Sequence, residues 1–143
     1  MIETFNHSDL CLATIIRAGY HTSGIEFFTQ DESPLQLGYM NRDEGYKIKP
    51  HVHNLVERKV TATHEVLFIK SGKVRIDFYS DDQNYIKSTT VHSGDVILLA
   101  DGGHGLKMLE PSEIIEVKQG PYVGEQDKIR FDPISDDSVV MEK

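Results

Sequence analysis

Short runs rich in Val, Ile, Thr, Tyr and Phe recur along the chain, divided at close intervals by Gly, Pro, Asp, Asn and Ser. This pattern predicts a mostly-β protein. The runs occupy residues 12–18, 25–30, 35–41, 46–53, 63–70, 73–80, 85–92, 95–100, 105–110 and 113–119. Ser71-Gly72 predicts a tight hairpin, because glycine enters the positive-φ region without steric cost, and 81–84 predicts a polar turn. Hairpins in succession imply antiparallel pairing. Within 73–79 the alternation is clean: Val74, Ile76 and Phe78 share one face, and the charged residues share the other. Residues 96–100 read Val-Ile-Leu-Leu-Ala and do not alternate, which predicts a strand covered on both faces, by the N-terminal strands or by a second subunit. A homodimer is expected on that ground. No amphipathic helix of three turns stands out, and no internal repeat. So many short strands in one chain fit a small barrel or jelly roll, which closes on itself and leaves no sheet edge exposed.

Length and charge narrow the picture. The chain has 143 residues, enough for a single domain over 1–143 with its own core and no dependence on disulfides. Lys and Arg number 15 against 23 Asp and Glu, a formal net charge of −8, and no basic run interrupts it. Duplex nucleic acid is therefore not an expected partner, since phosphate contacts need a basic face. Cys11 is alone, which excludes an intramolecular disulfide, fits a reducing compartment and reads as a small packing residue. No apolar stretch approaches the length that spans a bilayer, and the first ten residues have neither a basic nor an apolar targeting region, so a cytoplasmic protein without a membrane partner is expected. The strand pattern breaks at Gly120. Beyond it Tyr122, Ile129 and Phe131 offer apolar area to pack back on the barrel or on a partner, whereas the acidic end, 134–143, is expected to be mobile. Residues 54–61 have no period and read as a loop.

Candidate chemistry lies in four side chains. His51 and His53 end one strand-like run, and residues two apart in a strand project from the same face, so the two imidazoles share one space. Neutral imidazole is a common ligand of divalent transition metals. Glu65 leads the apolar run Val66-Leu67-Phe68-Ile69, where a carboxylate is costly to bury without a partner, and a metal ion is one such partner. His104 follows Gly102-Gly103 just after the most apolar run of the chain.

Over residues 45–108 this arrangement resembles the cupin superfamily, whose first motif is G(X)5HXH(X)3–4E(X)6G and whose second is G(X)5PXG(X)2H(X)3N. His51, His53 and Glu65 match the ligands of the first motif, between Gly45 and Gly72, and His104 matches the histidine of the second. The spacer between His53 and Glu65 is eleven residues, longer than in the family; Glu57 satisfies the short spacer, but only Glu65 has the later glycine and a following strand. Ala100 stands where proline is usual and Met108 where asparagine is, and the glycine pair supplies the bend ahead of His104. The resemblance implies an all-β cupin double-stranded β-helix, an antiparallel jelly-roll barrel with its motif core over about 45–119 and a C-terminal extension over 120–143. It also implies one divalent transition metal, Fe, Mn, Ni, Cu or Zn, held by His51, His53, Glu65 and His104.

Such a ligand set leaves coordination positions open to substrate. The expected function is metal-dependent chemistry on a polar small molecule such as a sugar or keto acid, isomerase- or epimerase-like, in carbohydrate metabolism, with an iron-dependent dioxygenase as another form of it. Without any Trp the chain offers no large aromatic pocket, which turns the expectation towards sugars and keto acids. The alternative is a non-catalytic module that binds metal and a small ligand on the same fold. Glu116 and Lys118 share one face of a late strand and are the candidates for catalytic or substrate-orienting groups if that face looks inward; a solvated face is the plainer reading. His64 is expected at the surface or an interface, His7, His21 and His92 in solvent, and Tyr46, Tyr79, Tyr85 and Tyr122 in packing roles.

Overall fold

The computed structural model describes residues 1–142, so Lys143, the last residue of the expected extension, lies outside the described residues. Ten strands form: β1 (Ile2–His7), β2 (Leu10–Ile16), β3 (Gly24–Phe27), β4 (Gly38–Asn41), β5 (Glu65–Ser71), β6 (Lys73–Tyr79), β7 (Tyr85–His92), β8 (Val96–Leu99), β9 (Gly103–Met108) and β10 (Glu113–Lys118). No α-helix occurs among the described residues, only two short 3-10 turns, Gly124–Asp127 and Asp136–Ser138. None is long and apolar enough to cross a membrane. The protein is all-β, and every strand ladder is antiparallel.

Two compact units divide the chain, His21–Ala62 and the remainder. The larger unit holds a five-stranded sheet in the order β1-β2-β8-β5-β10 and a three-stranded sheet in the order β7-β6-β9. They share one core, as in a β-sandwich: Leu12, Ile15, Leu67, Ile69, Ile97 and Leu99 from the first meet Val74, Ile76, Phe78 and Val91 from the second. The rings of Phe5 and Phe78 lie 5.0 Å apart across it. Alternation in 73–79 does what it predicts on the inward side. Its charged side is also buried, because the C-terminal segment folds across it. Arg75 binds Asp77 at 2.7 Å and Asp136 at 2.9 Å, and Ser88, fully buried, donates to Asp77.

That segment is tied down at several points. Phe131 meets Tyr79 edge to face at 5.0 Å, the Ile134 amide donates to the Tyr79 hydroxyl at 3.0 Å, and Ser88 exchanges backbone bonds with Val140 and Glu142 at 2.8 and 2.9 Å. The acidic tail expected to be mobile thus carries a parallel bridge from Met141 to β7. Ile97, Leu98 and Leu99 are at most 2% exposed, so β8 is covered on both faces within one chain and no longer argues for a second subunit.

At the hairpin between β5 and β6, Gly72 has φ +90°, and a Cβ there would stand 2.4 Å from the carbonyl oxygen of Pro111. The run 46–53 is the expectation that fails: it forms no strand, and each of its residues is exposed. Its alternating Tyr46 and Ile48 find no ladder, and Pro50 lacks the amide that pairing requires. In the smaller unit the single ladder among the described residues is β3 with β4, where the Phe27 ring covers Gly38 and Arg42 lies over the Tyr46 ring at 4.6 Å. Conversely β1 forms where no strand was expected, from a mostly polar stretch that buries only Phe5.

Candidate metal and ligand site

Glu65 opens β5 on the face that carries Leu67 and Ile69, opposite Leu99 on one side and Lys118 on the other. It belongs to the five-stranded sheet. His104 is the second residue of β9 in the other sheet, opposite Phe78 and so on the inward face. The two meet across the sandwich, with His104 Nε2 3.1 Å from Glu65 Oε2. Gly102 makes this approach possible: its φ is +70°, and a Cβ there would lie 2.5 Å from the Tyr79 carbonyl oxygen. Only glycine lets the chain turn this closely against β6 and deliver His104 inward.

Glu65 is 9% exposed. The hydrogen bond from His104 holds its carboxyl below the usual carboxylate range; burial opposes this, and the positive charges of His104, Lys128 and Lys118 reinforce it. A 3.1 Å separation between nitrogen and oxygen suits a hydrogen bond. It is also the separation of two adjacent ligands on one ion, since bonds of about 2.1 Å spanning it subtend about 95°. The chemistry of the pair, one imidazole and one carboxylate, fits two positions of a divalent transition metal.

His51 and His53 belong to the smaller unit. Their rings stand 5.2 Å apart, edge to face, in exposed chain without strand pairing, and the His51 Nδ1 lies 3.0 Å from the Lys49 carbonyl oxygen. Glu57 is exposed in the same unit. Among the described residues no group of three or more His, Cys, Asp or Glu side chains is close enough to hold a metal. The structure brings Glu65 to His104 within the larger unit, and His51 to His53 within the smaller.

Glu65 and His104 line a cavity of about 620 Å³ whose other walls include Tyr79, the glycines of β9, Glu116, residues 127–131 and Pro133. Glu116 and Lys118 lie on the face of β10 that carries Ile114, opposite Leu67 and Glu65; the face turns towards the core at this end, yet the Glu116 side chain stays 48% exposed. Lys118 Nζ stands 4.0 Å from Glu116 and 3.8 Å from Asp127, and Asp127 also accepts from the Thr63 hydroxyl at 3.3 Å. His64, expected at the surface, is 5% exposed with its Nδ1 unpartnered, and burial lowers its pKa. His7, His21 and His92 are exposed, as expected. Tyr79 packs as expected and also lines the cavity, whereas Asp127, Lys128 and Arg130 are lining groups that the sequence reading does not name. No local pattern marks these three, because they lie in the segment after Gly120 that reaches the site only by folding back.

No protein-family model matches the chain, no curated protein matches it, and no solved structure matches it.

Proposed function

We propose that the protein is a metal-dependent, cupin-like protein that acts on a polar small molecule of the sugar or keto-acid class. The observation that carries the reading is the meeting of Glu65 and His104, one from each sheet, at 3.1 Å inside a cavity large enough for such a molecule. In this reading Glu65 and His104 supply two of the ligands of one divalent transition metal. Bound there, the metal supplies Lewis acidity towards a carbonyl or hydroxyl oxygen.

The chain's own groups do the rest. Glu116 lines the cavity with a half-exposed carboxylate and is the proton acceptor within reach of a ligand there. Lys118 sits between Glu116 and Asp127, 4.0 and 3.8 Å from their carboxylates. Tyr79 and Phe131 form the apolar wall that excludes water from one side.

Elemental mass spectrometry of untagged protein tests the reading. About one equivalent of Fe, Mn, Ni, Cu or Zn per chain is expected, falling at least tenfold in Glu65→Gln and in His104→Ala and unchanged in Glu57→Ala. Metal retained in both of the first two variants overturns the reading. Loss in Glu57→Ala with retention in Glu65→Gln moves the carboxylate ligand to Glu57.

A further inference from the structure

The charges around the cavity do not cancel evenly. Three carboxylates line it, and each has a partner: Glu65 has His104 at 3.1 Å, Asp127 has Thr63 at 3.3 Å and Lys118 at 3.8 Å, and Glu116 has Lys118 at 4.0 Å. Two cations line it as well, Lys128 and Arg130. Among the described residues Arg130 is paired only with Glu125, a pair whose side chains are 70% and 82% exposed and which solvent screens strongly. Lys128 has no ion pair among the described residues, although its charge reaches Glu65. The wall formed by 127–131 and Pro133 therefore brings two neighbouring cations to the cavity, Lys128 without an ion pair among the described residues and Arg130 held only by an exposed carboxylate, in a chain of net charge −8.

We propose that the ligand of this cavity is anionic, and that Lys128 and Arg130 bind its phosphate or carboxylate group while the rest of the molecule extends towards Glu65 and His104. This names the substrate class of the function proposed above and rests on the same cavity. Arg130 offers a planar pair of donors to an oxyanion, and Lys128 a point charge with three donors. The acid group then takes the place that Glu125 holds loosely on Arg130. Lys118 is set apart from this role by its two carboxylate neighbours.

Titration of metal-free full-length protein with inorganic phosphate, with malonate and with glycerol, followed by amide NMR shifts, tests the proposal. A saturable response around Lys128, Arg130 and His104 is expected with at least one anion and not with glycerol. The phosphate arm marks a phosphorylated ligand and the malonate arm a carboxylate ligand. Lys128→Met with Arg130→Met should weaken that binding at least tenfold, Lys128→Arg should retain it, and Lys70→Met, an exposed pair with Glu113 outside the cavity, should leave it unchanged. Both lysine and arginine are exposed, so the double variant keeps its fold. No saturable response to either anion, or an unchanged affinity in the double variant, overturns the proposal. Metal uptake measured on the same double variant separates the two readings: it stays at the wild-type level if Lys128 and Arg130 serve only the anion. Anion binding by a wild-type chain that takes up no metal leaves this inference standing and removes the metal.

Discussion

Glu65 and His104 depend on one another. Glu65 is nearly buried, so truncating its partner in metal-free protein leaves a carboxylate with a lost hydrogen bond and little water to replace it. His104→Ala is expected to cost about 1–3 kcal/mol in urea unfolding at neutral pH, and Glu65→Gln less, because the amide still accepts a bond. The two neighbouring ionisable groups, His64 and Glu65, act in different pH windows. Burial lowers the His64 pKa from its ordinary 6.5, so below that value the unfolded chain takes up a proton that the folded chain resists. Stability should therefore fall as pH drops from about 7.5 to 5.5, and His64→Gln should flatten that slope in urea melts. The contribution of Glu65 is present above its ordinary value of 4.5 and is lost only as pH falls through its lower folded value. His64 also shows a limit of reading by residue type. A histidine beside an apolar run looks like a surface group, and Phe68 and Lys70 on its side of the strand are exposed, yet His64 itself is buried, and nothing local to 63–70 says so.

At the scale of strands, β6 was legible because its period of two matches a pleat with one apolar face. Ile76→Ala, at a fully buried position between the sheets, should cost about 2–5 kcal/mol by thermal or chemical denaturation. Val117→Ala on the exposed side of β10 should stay within about 0.5 kcal/mol. The polar face of β6 holds the less expected result. Arg75→Met strips the guanidinium from Asp77, which is 3% exposed, and should cost about 3–5 kcal/mol; replacing Asp77 by Leu in the same chain should recover part of it. Two strand assignments went the other way for a physical reason. A strand is a pairing, so the alternating 46–53 stays unpaired, while the polar β1 forms because β2 offers it an antiparallel register from Ile16 to Leu10, shifted once between Phe5 and Asn6.

For the molecule as a whole, the C-terminal segment links the outer face of the small sheet to the cavity wall. Asp136 joins Arg75 and Lys107, and those bonds hold its carboxyl below the usual range. Ending the chain at Ile134 removes these bonds and the bridge at Ser88, uncovering Arg75 and Asp77. Such a chain should melt at a lower temperature than the full one and be cut faster by protease within 120–134, where the cavity wall loses its anchor.

What the sequence determined by itself was local: the all-β class, antiparallel hairpins at Gly72 and 81–84, the inward face of β6, a double-sided β8, and Glu65 as a residue out of place unless something engages it. Each follows from a period, a turn residue or the cost of a buried charge, quantities that act over a few neighbours. Only the tertiary structure decided that Glu65 and His104 meet, that Glu116 and Lys118 face inward, that His64 is buried and that Lys128 and Arg130 arrive beside them. Those outcomes depend on which sheet packs on which and on where a segment returns after Gly120. They are set by burial summed over the whole core rather than by any stretch of chain that can be read alone.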